Sequence, residues 1–212
     1  MSDRIVVYTA IYNKYDQLKN PVHVDKNVKY VCFTDNPDLK STIWDIRYLP
    51  PMVDRMDKYL KLFPTTLFPD YDISIWVDGS VRIRKNISDL VNYLNGNDMA
   101  VFRHPRGNTL REEFKVCIRN KKADEEALIK QRIRYQNYLD IDVVACGVLI
   151  RRHHAVEIQK FMVEWWIEQQ KTTYRDQLSF PVIAEMYKYK YTVIDNNIFN
   201  NRYLSVVKKH RK

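Results

Sequence analysis

The sequence predicts a single α/β domain: a mixed, mostly parallel sheet flanked by helices, with a ligand site at the carboxyl ends of its strands. Three observations carry this. Short apolar runs alternate with segments of helical spacing along all 212 residues, a length that suits one full α/β domain. The run at 73–77 (ISIWV) is apolar on both faces, as in a strand covered on both sides. That run ends abruptly in Asp78-Gly79-Ser80, where open α/β sheets place their ligands.

The elements follow in order. Residues 5–9 (IVVYT) form a first strand, followed by a polar loop over 13–20. Residues 30–34 (YVCFT) form a second, closed by the turn signal Asp35-Asn36-Pro37. An alternating stretch over 43–48 stops at Pro50-Pro51. Helical spacing over 53–63 runs through Met56, Tyr59, Leu60 and Phe63, with Asp54 near its start. After the Asp78 strand, residues 87–94 make a short helix closed by Asn95-Gly96-Asn97. Residues 99–102 are a strand, leading into His104-Pro105-Arg106.

Residues 109–138 read as charged helix with a break near Asn120. A buried strand over 143–150 carries Cys146-Gly147 in its middle. An amphipathic helix covers 155–170, with Ile158, Phe161, Met162, Trp165 and Trp166 on its apolar stripe. Residues 174–187 form a further helix and 191–194 a last strand. From Asp195 onward the spacing suits neither a helix nor a central strand, yet Ile198, Phe199, Tyr203 and Leu204 are apolar. That tail is expected to pack across the domain, bringing the basic residues 208–212 to the site.

Composition narrows the function. Hydrophobic residues make up 45% of the chain and aromatics 13%, as in a folded globule. Apolar runs are too short for a membrane span, and no secretory leader is visible. Cys32, Cys117 and Cys146 are odd in number and far apart, reading as reduced core cysteines of a cytoplasmic protein. The net charge of +9, from 35 basic and 26 acidic side chains, suits an anionic ligand. No helix-turn-helix, zinc-finger or RNP-like pattern points to nucleic acid. With four glycines and no G-x-x-x-x-G-K-[ST] or G-x-G-x-x-G, a glycine-rich phosphate cradle is absent. A diphosphate would then need a hard divalent cation, and Asp78 with Ser80 offers oxygen ligands for Mn²⁺ or Mg²⁺. A plain Asp-Gly turn fits these two residues equally well.

Five motifs occur in order: Tyr8-Thr9-Ala10-Ile11-Tyr12, Phe33-Thr34-Asp35-Asn36, Ser74 through Ser80, His104-Pro105-Arg106, and Arg175-Asp176-Gln177-Leu178-Ser179-Phe180. Together they resemble GT-A-type nucleotide-sugar glycosyltransferases, a family related to glycogenin and the galactosyltransferases and long catalogued as a domain of unknown function. Within it the chain resembles the N-terminal glycosyltransferase domain of a chlorella-virus protein that builds capsid glycans. The resemblance implies one GT-A-like domain over 1–212, with a nucleotide half to about residue 103 and a sugar and acceptor half from 104. It also implies metal-dependent transfer of rhamnose or another hexose from a UDP-sugar to a glycan hydroxyl. The chain would then be part of a larger multidomain protein, in host cytoplasm if viral.

The resemblance further assigns residues. Tyr8, Thr9, Ala10 and Tyr12 would hold the uridine, with Tyr12 stacked on the base, and Thr34 and Asp35 would meet base or ribose. Arg55 and Lys58, three apart on one helix face, would reach an anion. Asp78, Gly79 and Ser80 would serve the metal and diphosphate, with His210 as third ligand and Lys208 beside the phosphates. Gly147 would admit the sugar next to Cys146. Asp176 and Gln177 would lie against the donor sugar, with His104 and Arg106 near sugar or acceptor. For Asp176, helix capping is the competing reading. Two rivals remain open: a metal-dependent phosphoesterase, which usually needs a second metal cluster, and a non-catalytic anion- or nucleic-acid-binding module, whose binding would fall steeply with salt.

Overall fold

A computed structural model describes residues 3–207. Nine strands and six α-helices occur in the described chain: β1 (Ile5–Ile11), β2 (Val28–Thr34), β3 (Asp45–Tyr48), α1 (Met56–Leu62), α2 (Pro64–Leu67), β4 (Ile73–Val77), β5 (Val81–Ile83), β6 (Met99–Arg103), α3 (Leu110–Arg119), α4 (Glu125–Arg134), β7 (Val144–Arg151), α5 (Val156–Lys171), α6 (Asp176–Met186), β8 (Thr192–Ile194) and β9 (Leu204–Val206). A seven-stranded sheet has the order β3-β2-β1-β4-β7-β6-β8, and β5 and β9 make a separate two-stranded sheet. β1, β2, β3 and β4 are parallel, as are β6 and β8, while β7 runs antiparallel to both its neighbours. The expected mixed, mostly parallel sheet is therefore present.

Alternate residues of each strand feed two cores, because successive side chains point to opposite faces. Val6, Tyr8, Val31, Phe33 and Trp76 meet Leu60 of α1, Phe161 and Trp165 of α5, and Phe180 of α6. Val7, Ile11, Cys32, Ile75 and Val77 meet Ile87, Leu90 and Leu94 on the opposite face. All five residues of β4 are buried, as an apolar run without alternation requires. The segment Ile87–Leu94 is a 3₁₀ helix rather than an α-helix, ended by Asn95 in the left-handed region at φ 46°. A third cluster joins Phe114, Cys117, Leu128 and Tyr135 of the α3–α4 region to Leu178 and Val182 of α6. The break near Asn120 falls where expected, and the capping box of Thr109 with Glu112 starts α3.

Two local expectations change. The helix expected from residue 53 begins at Met56, because Arg55 takes a left-handed conformation, φ 54° and ψ 50°, and stops the helix there. The tail contains a strand too short to read from spacing: β9 pairs antiparallel with β5, directly after Ser80. Ile198 and Leu204 are buried by this arrangement, so the segment does pack across the domain. No described helix is long and apolar enough to cross a membrane.

Candidate functional site

The strand order turns outward in opposite directions from β1 and β4, which makes their carboxyl ends the switch point of the sheet. Asp78 stands there, one residue past β4, with its side chain 41% exposed. The backbone holds it from both sides: its N–H donates to Gly147 O at 2.8 Å, and its carbonyl accepts from Val81 N at 2.8 Å. Trp76 Nε1 donates to Asp78 Oδ1 at 2.7 Å. A Cβ on Gly147 would lie 3.2 Å from Asp78 Oδ2, so the glycine keeps that oxygen clear. A Cβ on Gly79 would lie 2.6 Å from Ile11 Cδ1 and 2.9 Å from Asp16 Cβ, which fixes the loop after β1 tightly against Gly79. Close approach rather than a positive φ thus favours glycine at both positions, strongly at Gly79 and mildly at Gly147.

The organising residue of the site is Lys61, which sequence reasoning missed. Its side chain is 1% exposed, and its Nζ lies 2.6 Å from Cys146 O, 2.7 Å from Asp176 Oδ2 and 3.5 Å from Asp78 Oδ1. The same ammonium lies 5.6 Å from the centre of the Trp76 ring. Burial opposes the charged amine, but Asp176 and then Asp78 outweigh it and hold Lys61 protonated well above the usual lysine range. The available signal was a lysine set between Leu60 and Leu62 in a core-facing helix. The backbone under it is clamped too. Arg151, fully buried at the end of β7, donates to Lys61 O at 2.8 Å and to Tyr8 Oη at 2.5 Å, and Tyr8 Oη donates to Lys61 O at 2.9 Å.

Asp176 opens α6, but its carboxylate does not cap the helix. Both oxygens are taken: Gln169 Nε2 donates to Oδ1 at 2.8 Å, while Lys58 and Lys61 donate to Oδ2 at 2.6 and 2.7 Å. Burial would raise its pKa, yet the two ammoniums prevail and hold the carboxyl well below the ordinary carboxylate range. The loop that presents it is gripped from α4, where buried Gln131 Oε1 accepts from Thr173 Oγ1 at 2.6 Å. Gln177 stands half-exposed beside Asp176.

Several expected ligand contacts sit elsewhere. Tyr8 is fully buried in the core and bound to Arg151, so its side chain is not presented to a uridine. Tyr12 is 6% exposed with its hydroxyl donating to Leu49 O at 2.7 Å, so its ring packs over the core rather than standing free to stack. The Thr9 hydroxyl is enclosed, without a partner among the described residues. Thr34 is buried, and its Oγ1 accepts from Asn36 N at 3.1 Å in a local turn. Ala10 is half-buried, and Asp35 is half-exposed, accepting from Asn13 N at 2.9 Å.

Arg55 is not on the helix face of Lys58. From its left-handed position it pairs with Asp57 at 3.0 Å and stacks 5.2 Å from the Tyr174 ring centre. His104 is buried rather than offered to an acceptor. Its Nε2 lies 3.7 Å from Glu113 Oε2, and its Nδ1 is enclosed with no partner among the described residues. Burial lowers its pKa against the pull of Glu113, with Arg106 and Lys122 adding to the lowering. Arg106 itself is exposed. The Cys146 side chain is buried, and its contribution to the site is the carbonyl that accepts from Lys61.

For a metal, Asp78 offers an open carboxylate, with the half-exposed Ser80 two residues on and the Asp16 carboxylate packed against Gly79. No group of three His, Cys, Asp or Glu suited to a metal gathers among the described residues. Phosphate oxygens of a donor could complete such a set, and the expected third ligand, His210, lies outside the described residues, as does Lys208. Val207 N donates to Ser80 O at 2.9 Å, so the described chain ends beside the Asp78 motif.

The mixed seven-stranded sheet of this order, with Asp78 at its switch point, is a glycosyltransferase-like fold. The chain belongs to the TOD1/MUCI70 glycosyltransferase-like domain family, whose pattern matches residues 45–212. It is 26% identical over 231 aligned positions to a protein named alkaline ceramidase TOD1 from Arabidopsis thaliana, covering 85% of this chain and 48% of that protein. The chain thus spans about half the length of that relative. The apo structure of the bifunctional glycosyltransferase WbbM superposes with a TM-score of 0.54 at 12% identity, over 92% of this chain and 39% of that one. That likeness establishes the fold.

Proposed function

We propose that the protein transfers a hexose from a UDP-sugar to a hydroxyl of a glycan acceptor. The observation that carries this reading is the Asp78–Lys61–Asp176 line at the switch point: a half-exposed carboxylate for the diphosphate end, and a charged pair behind it for the sugar. Family membership supports the reaction class. Of the nucleoside contacts expected from sequence, Ala10 and Asp35 keep positions open to a ligand.

A divalent cation, Mn²⁺ or Mg²⁺, would be held by Asp78 Oδ2 together with donor phosphate oxygens, with Ser80 and His210 as further ligands. Bound there, it would offset the charge that develops on the departing nucleoside diphosphate. Lys61 and Lys58 place positive charge on the same side. Trp76 and Cys146 are buried behind Asp78, and a donor seated against them would be shielded from water on that side, which would limit its hydrolysis. The cysteines of the described chain are all free and buried, which suits the reducing cytoplasm we assign to it.

The name of the Arabidopsis relative raises amide hydrolysis of a ceramide as a second reading. Thermal shift with UDP, ADP and GDP, each with and without Mn²⁺, tests the first, because a ligand bound only to the folded state raises its stability. UDP with Mn²⁺ should raise the melting temperature more than either alone and more than ADP with Mn²⁺. Equal shifts for all three nucleotides would remove the uridine assignment, and release of fatty acid from ceramide without any nucleotide effect would favour the second reading.

A further inference from the structure

Asp176 Oδ2 accepts from two ammoniums at once, Lys58 at 2.6 Å and Lys61 at 2.7 Å. The two lysines are not equivalent. Lys61 is 1% exposed and shares its charge among Asp176, Asp78 and Cys146 O. Lys58 is 16% exposed, one turn earlier on α1 and next to the exposed start of that helix, and Asp176 is its acceptor. Withdrawing Lys61 would strand buried acceptors, which is costly. Withdrawing Lys58 strands nothing, because Asp176 keeps Lys61 on Oδ2 and Gln169 on Oδ1.

We infer that Lys58 is a mobile cation of the site: Asp176 holds it in the donor-free protein, and it passes to the donor diphosphate on binding. Its departure leaves Oδ2 of Asp176 with one partner and room to accept from a sugar hydroxyl. This inference rests on the nucleotide-sugar reading. Its consequence is competition, since Asp176 and the diphosphate claim the same ammonium. Asp176 therefore weakens diphosphate binding while preparing the site for the sugar.

The test is calorimetric titration of UDP and of inorganic pyrophosphate, each with Mn²⁺, into wild type, Asp176→Asn, Lys58→Gln and the double variant. Asp176→Asn should tighten both ligands by roughly three- to tenfold, the scale of one partly buried charge pair released. Lys58→Gln should weaken both. In the double variant the gain from Asp176→Asn should vanish, which separates exchange of Lys58 from a general rise in positive charge. A folded Asp176→Asn that binds no tighter, or a gain that persists without Lys58, overturns the inference. Should Asp176→Asn not fold, the lysine Nζ resonances of wild type decide. The signal identified as Lys58 by its loss in Lys58→Gln should move on adding pyrophosphate while that of Lys61 stays, and an unmoved Lys58 signal overturns the inference. Wild type that binds pyrophosphate with the Lys58 shift but ignores UDP counts against the nucleotide-sugar reading and leaves the exchange standing. Binding of neither ligand overturns both.

Discussion

Lys61 Nζ and Asp176 Oδ2 lie 2.7 Å apart although 115 positions separate them in the chain. One comes from α1, which packs on the face of β1, and the other from the first turn of α6. Their pairing ties the two helices across the mouth of the sheet, next to Asp78. A buried ion pair of this kind is weak evidence for stability as such, but breaking it by removing one partner is expensive.

Lys61→Met is therefore expected to destabilise the fold by about 3–5 kcal/mol, since it leaves Asp176 Oδ2 with Lys58 alone and takes from Cys146 O its lysine donor. Urea unfolding measures the loss. A variant as stable as wild type would mean that water enters the site and solvates both carboxylates.

Gly147→Ala and Gly79→Ala separate the site from its scaffold. At Gly147 the new methyl meets Asp78 Oδ2 at 3.2 Å and Ile198 Cδ1 at 3.3 Å, contacts that shift a side chain by tenths of an ångström. Stability should fall by roughly 1 kcal/mol or less, while UDP affinity with Mn²⁺ falls clearly. At Gly79 the methyl meets Ile11 Cδ1 at 2.6 Å and Asp16 Cβ at 2.9 Å, so the β1 loop must move. That variant should lose roughly 1–3 kcal/mol. Paired urea melts and calorimetric titrations give both numbers, and the reverse order would contradict the packing described.

His153 sets a pH dependence of stability. It is fully buried, with Nε2 3.1 Å from Phe68 O, and burial lowers its pKa from 6.5 to about 4. Between those values the unfolded chain binds the proton and the folded chain does not, so stability rises with pH. The contribution is complete above pH 6.5 and is lost progressively as the pH falls through that window to about 4. Replacing His153 by Gln should flatten the slope of urea midpoints between these limits. An unchanged slope would place the titration elsewhere.

Removing residues 208–212 should leave a folded protein, because β9 ends at Val206 and its pairing with β5 is intact. Binding of UDP with Mn²⁺ should weaken distinctly, with His210→Ala reproducing most of the metal component. Wild-type affinity in the truncated chain would strike Lys208 and His210 from the site.

The strands of the large sheet were legible because apolar runs such as 30–34 and 73–77 leave no other way to bury both faces. Asp78 was legible because it breaks such a run at the end where ligands bind. Lys61 was not, since a lysine inside a helix reads as solvated until its acceptors, Cys146 O and Asp176, are brought in from distant segments. Tyr8 and Tyr12 misled for the opposite reason. Their place on the first strand and its loop suggested a uridine contact, but both rings are buried and their hydroxyls donate to Lys61 O and Leu49 O. β5 and β9 are three residues each and pair only with one another, so no periodicity announces them.

Release of UDP from a panel of UDP-hexoses, with Mn²⁺ and in parallel for wild type and Asp78→Asn, tests the central claim most directly. The expected result is Mn²⁺-dependent release from at least one UDP-hexose by wild type, lost in Asp78→Asn while the variant keeps its fold. Release that is equally fast in Asp78→Asn, or no release from any UDP-hexose by a protein that hydrolyses ceramide, would contradict it.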